Sequence, residues 1–119
     1  MQYKIKENIS RRIRYELTNI SKTKNKKTIE YIDCDIQFLK IYLESKFEFG
    51  MSWANYGKLW HIDHIIPCNY WNLENDVDNY LCWNYRNLQP LWAFSNKSKR
   101  DTVNMNKVLY YKVYMETLI

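Results

Sequence analysis

Residues 60–67 read Trp60-His61-Ile62-Asp63-His64-Ile65-Ile66-Pro67. The stretch is rich in β-branched and aromatic side chains and is closed by a proline. It predicts a short strand over Leu59–Pro67. It also carries His61 and His64, the only two histidines of the chain. His64 directly follows Asp63. A His–carboxylate neighbourhood serves two chemistries, metal binding and proton transfer near neutral pH. A lone Asp-His dipeptide is more often an exposed or core feature of a strand, so the weight falls on the residues downstream of it.

Those residues form an ordered set. Asn87 comes 23 residues after His64, in Asn87-Leu88-Gln89-Pro90-Leu91, and Asn96 lies nine residues further on. The reading is strand, loop, brief extended segment, then a helix from Trp92 to about Arg100, with one polar group at each station. Such a hairpin and helix can converge side chains on one metal-sized cavity. The carboxylate of Asp63 and the amide oxygen of Asn96 are hard donors that suit Mg²⁺ or Mn²⁺.

The Trp60–Pro67 stretch, Asn87-Leu88-Gln89-Pro90-Leu91-Trp92 and Asn96-Lys97-Ser98-Lys99 together resemble an HNH endonuclease with the ββα-metal fold. The lead-in over residues 31–57, with Gly50-Met51-Ser52-Trp53-Ala54-Asn55-Tyr56-Gly57, resembles that of phage, intron-associated and large-DNA-virus members. The resemblance spans roughly residues 28–101. It implies that His64 is the general base and Asp63 a metal ligand. It implies that Asn87 braces the loop between the strands and helps to orient His64, so His64 and Asn87 form the catalytic pair. Asn96 is implied as the second protein ligand, at a position that is His in many members, which makes this an H-N-N variant. The implied reaction is hydrolysis of DNA phosphodiesters to 5′-phosphate and 3′-hydroxyl ends, with one Mg²⁺ or Mn²⁺ as cofactor. His61 is read as structural or phosphate-contacting, with a catalytic role as the alternative.

Outward from this core, Ile9, Ile13, Leu17 and Ile20 predict an amphipathic helix over about Asn8–Ser21. A second helix is indicated by Ile32, Ile36, Leu39 and Leu43, capped by Asp33 or Asp35 and ending near Phe47–Gly50. Asn55-Tyr56-Gly57 reads as a turn. Cys68–Asn79 reads as an acidic, Asn-rich loop with a turn of helix, and residues 103–118 as a C-terminal helix. The fold class is therefore α+β: a small ββα-metal core flanked by N-terminal helices and a C-terminal helix. The chain divides into a basic helical arm and loop (1–28), a nuclease domain (29–101) and the C-terminal helix (102–119).

Charge follows this division. The 119 residues carry a net charge of +5. Residues 1–28 hold nine basic and two acidic side chains, +7, and the rest nine basic and eleven acidic, −2. A cationic segment on a near-neutral body fits an anionic partner. Arg11, Arg12, Arg14, Lys22, Lys24, Lys26 and Lys27 are the candidate DNA contacts on the arm, and Lys97, Lys99 and Arg100 those beside Asn96. The solvated-surface alternative stays open for the arm, with comparable weight from charge alone.

Other classes are disfavoured. Hydrophobic residues make up 46% of the chain and aromatics 17%, too many for a disordered segment. The five tryptophans are expected in the core. Cys34, Cys68 and Cys82 are odd in number and form no CxxC, which argues against a disulfide framework or a four-cysteine zinc site and for buried reduced thiols. No apolar run has the length of a membrane span and no signal peptide is visible, so an intracellular location is expected. The expected partner is double-stranded DNA rather than a membrane. Oligomeric state stays open, a homodimer included. The leading reading is a homing or viral mobile-element endonuclease; the alternative is a catalytically inactive DNA-binding module of the same fold.

Overall fold

The computed structural model describes residues 1–95 and 105–118. Its architecture is α+β. The order is α1 (Gln2–Thr18), α2 (Thr28–Ile32), α3 (Ile36–Glu44), β1 (Trp60–His64), α4 (Asp76–Trp83), β2 (Leu88–Trp92) and α5 (Met105–Glu116). Short 3₁₀ turns stand at Trp53–Asn55, Cys68–Tyr70 and Tyr85–Asn87. Residues 93–95 turn helical directly after β2.

The two strands form an antiparallel ribbon. Trp60 pairs with Trp92, Ile62 with Pro90, Asp63 with Gln89 and His64 with Leu88. An isolated two-stranded ribbon is marginal in water, and here helices cover it. Trp60, Trp83, Leu81 and Leu88 are buried with Ile5, Ile13, Leu39 and Leu43 in one core. Trp71 is also buried, and Trp53 and Trp92 pack half-buried against the same cluster.

α1 belongs to that core. Ile5, Ile9, Ile13 and Leu17 recur every fourth residue and are all buried. Each such side chain contributes about 1.5–3 kcal/mol of apolar burial. The helix begins at Gln2 rather than Asn8, because Ile5 extends the same stripe backwards. It ends at Thr18 rather than Ser21, which takes a left-handed φ of 60°. Asn8 Nδ2 donates to the Tyr56 hydroxyl at 2.8 Å, tying the helix to the turn that precedes β1.

The second expected helix is two. Asp33, at φ 62°, stops α2. Asp is among the few L-residues that tolerate this conformation. Asp35 Oδ1 then caps α3 by accepting from Phe38 N at 2.7 Å. The Cys68–Asn79 stretch is also more helical than its composition suggested. Asn75 Oδ1 accepts from Val77 N and Asp78 N and starts α4, which runs on to Trp83. Asp76 and Asp78 lie in its first turn, where carboxylates complement the helix dipole. Its buried end is Leu81, Cys82 and Trp83. α5 packs through Val108 and Met115. Among the described residues, no helix is long and apolar enough to cross a membrane.

Candidate functional site

β1 sets the site. His64, at its last position, is buried at 5% exposure, and its ring meets the edge of Trp83 with centroids 4.7 Å apart at 79°. Asp63 is half-buried and faces β2, where Gln89 Nε2 donates to its Oδ2 at 3.3 Å.

Asn87 sits fully buried at the end of the 3₁₀ turn just before β2 and fastens the turn that leaves β1. Its Oδ1 accepts from Ile66 N at 2.9 Å. Its Nδ2 donates to Ile66 O at 3.2 Å and to Cys82 O at 2.9 Å. Its own carbonyl accepts from Ile65 N at 2.8 Å. One amide side chain thus joins the exit of β1 to the end of α4. The amide supplies the one acceptor and the two donated bonds that this requires.

A cavity of about 410 Å³ opens between α1 and β1. Arg11, Arg12 and Tyr15 line it from α1, His61 and His64 from β1, and Trp83 from α4. The Trp83 indole N–H is buried and has no acceptor among the described residues. Arg11 donates to Asn8 Oδ1 at 3.0 Å, and Arg12 lies 3.6 Å from Glu16. Both arginines are exposed, so either can turn to an incoming anion. Two guanidinium groups and two imidazoles line the cavity, and such groups can hold an oxyanion.

Other sequence-derived candidates fall elsewhere. Asp63 is not among the described residues lining this cavity. Arg14 is directed to Ser10 Oγ at 2.8 Å. Lys22 and Lys26 line a separate small cavity with Glu30, Glu74 and Asp76. Lys24 donates to Lys26 O and lies over the Tyr31 ring; burial, with Arg14 and Lys6 nearby, lowers its pKa. The Lys27 amide is held by Glu30 Oε2 at 2.7 Å. Asn96, Lys97, Lys99 and Arg100 lie outside the described residues.

One grouping escaped the sequence. His64 Nε2 lies 3.7 Å from Cys68 Sγ, which lies 3.7 Å from Cys82 Sγ. The Cys82 thiol donates to Cys68 and draws its pKa well down; burial opposes this and His64 adds to it. Burial pushes Cys82 well up. Cys34 stands apart, half-buried, its thiol pushed up to about 12 by burial and by Asp35 and Asp33. The spacing carried a faint signal: Cys68 comes four residues after His64, just past Pro67. Cys82 arrives only because α4 folds back.

No family model matches the chain. Two proteins of Acanthamoeba polyphaga mimivirus are similar to it. Uncharacterized protein L426 is 35% identical over 88 residues, 74% of this chain and 39% of that protein. Uncharacterized protein L246 is 36% identical over 99 residues, 83% of this chain and 42% of that protein. The chain therefore spans about two fifths of the length of these curated relatives. No solved structure matches it.

Proposed function

We propose that the chain is a metal-dependent endonuclease of the HNH type that hydrolyses DNA phosphodiesters. The observation that carries the reading is the cavity that sets Arg11 and Arg12 of α1 beside His61 and His64 of β1. The ordered Asp63-His64, Asn87 and Asn96 stations support it from the sequence. So does the ribbon pairing of residues 60–64 with 88–92.

Arg11 and Arg12 hold phosphate oxygens of the backbone, with charge-assisted hydrogen bonds. His64 takes the proton of the attacking water. Asn87 acts through the backbone, holding the turn after His64 in place. Asp63 is the hard oxygen donor suited to Mg²⁺ or Mn²⁺ and would share that ion with Asn96. When bound, such an ion neutralises charge at the phosphate and at the leaving oxygen. The similarity to two mimivirus proteins supports the viral part of this reading.

The test is nicking of supercoiled plasmid across a metal series. His64→Ala should abolish Mg²⁺-supported nicking while DNA binding stays within about twofold, because the remaining phosphate contacts are intact. Undiminished nicking by pure His64→Ala protein would remove the general-base assignment. DNA binding without nicking by the wild type would favour the inactive binding module.

A further inference from the structure

We propose that His64, Cys68 and Cys82 form a second, soft-metal site that binds Zn²⁺. It is distinct in donor chemistry from the oxygen site at Asp63.

The argument is geometric. The three donor atoms lie within 4.8 Å of one another, and all three residues are buried. In a tetrahedral zinc site with Zn–S about 2.3 Å and Zn–N about 2.0–2.1 Å, donor separations are about 3.8 Å for S···S and about 3.5 Å for S···N. The structure has 3.7 Å for Cys68 to Cys82 and 3.7 Å for Cys68 to His64. Two of the three separations therefore already match the edges of a zinc tetrahedron, and the third, His64 to Cys82, lies within 4.8 Å. Two thiolates cancel the charge of the ion, so the filled site carries no net charge. Three protein ligands leave one position for water.

The donors come from elements that the fold fixes independently. His64 ends β1, Cys68 starts the 3₁₀ turn beyond Pro67, and Cys82 lies near the end of α4. Asn87 joins the last two regions through its bonds to Ile66 and to Cys82 O. The site is thus preorganised by the backbone rather than assembled by the ion. Thiolate and imidazole ligands select zinc over Mg²⁺ or Mn²⁺.

Occupancy has a consequence that rests on the nuclease reading. The ring faces the cysteines through Nε2. An ion on Nε2 leaves the remaining ring proton on Nδ1, so the imidazole can no longer accept one from water. Zinc would then inhibit cleavage supported by Mg²⁺.

The experiment uses the full chain, reduced and stripped by a chelator, titrated with Co²⁺ as spectroscopic probe. One equivalent should give thiolate-to-cobalt charge transfer and tetrahedral ligand-field bands, and Zn²⁺ should displace it. Cys68→Ser and Cys82→Ser should each lose the charge-transfer band or weaken it severely, and Cys34→Ser should keep it. Absence of the band in the wild type, or its retention in both Cys68→Ser and Cys82→Ser, overturns the site. If those variants fail to fold, cadmium NMR of the wild type counts the sulfur ligands directly, and a count other than two overturns it equally. Nicking assays run alongside: zinc should inhibit the wild type and spare Cys82→Ser. A wild type that binds cobalt but never nicks refutes the nuclease reading and leaves the metal site standing.

Discussion

Replacing Asn87 by Ala removes a side chain that hydrogen-bonds both the exit of β1 and the end of α4. Three hydrogen bonds disappear at once: Ile66 N to Oδ1, and Nδ2 to Ile66 O and to Cys82 O. Ile66 and Cys82 are both fully buried, so water does not readily replace the lost partners. Ile66 O keeps a long contact from Trp71 Nε1 at 3.4 Å, which softens its loss. The Ile66 N–H and Cys82 carbonyl are left needing partners, and each unsatisfied buried group costs about 1–3 kcal/mol. The expected destabilisation is about 3 kcal/mol, a large part of the roughly 5–15 kcal/mol that holds a domain together. The assay is urea unfolding followed by tryptophan fluorescence, with thermal unfolding as the second reading. The midpoint should fall with the m-value unchanged, and Tm should drop by roughly 12 °C, at about 4 °C per kcal/mol for a domain of this size. Asn87→Asp should also be destabilised, because the donor to the two carbonyls becomes an acceptor. A loss below about 0.5 kcal/mol for Asn87→Ala would refute the bracing role, since that is the range of ordinary surface substitutions.

Neutralising Arg11 and Arg12 together should lower the slope of log affinity for DNA against log salt by about 2, one for each phosphate contact. The paired change Lys22→Gln and Lys26→Gln should move it less, because both lysines sit beside Glu30, Glu74 and Asp76; filter binding at several salt concentrations separates the two, and equal slopes would count against the cavity as the phosphate seat. Tyr111→Phe removes the donor to Arg86 O at 2.6 Å and should cost about 1 kcal/mol in urea unfolding. Burial raises the Tyr111 phenol to about 12. The folded state therefore holds that proton longer than the unfolded chain. The contribution is complete below the ordinary phenol pKa of about 10 and is lost as pH rises from there towards 12. Wild-type stability should accordingly fall more steeply than that of Tyr111→Phe across that alkaline window, and parallel curves would refute the assignment.

Much of the fold was legible from residue pattern because the relevant forces are local. The four-residue apolar spacing of α1 and the β-rich run of residues 59–67 are short-range signals, and each marks an element, the strand ending at His64; of the two aspartates offered as cap, Asp35 is the one that caps α3. Misreadings arose where a local preference was permissive. Asp33 can adopt left-handed φ without declaring that it will, so a helix became two. Asn75 and two aspartates read as loop until Leu81, Cys82 and Trp83 found a core to enter, and burial then carried the helix on.

The sequence alone determined which groups exist and in what order: two histidines on one strand, Asp63 beside the second, Asn87 and Asn96 downstream, and a cationic first quarter. Tertiary structure decided which of them meet. Arg11 and Arg12 stand about fifty residues from the histidines along the chain, yet share a cavity with them because the apolar stripe of α1 is buried in the common core. Lys22 and Lys26, equally basic and close in sequence to those arginines, are placed beside carboxylates instead. Cys68 and Cys82 looked like two unrelated buried thiols until α4 brought their sulfurs together beside His64. Spacing along the chain determines proximity only within a helix turn or a strand. Beyond that, proximity is set by which apolar faces bury each other, and polar groups are carried along with them.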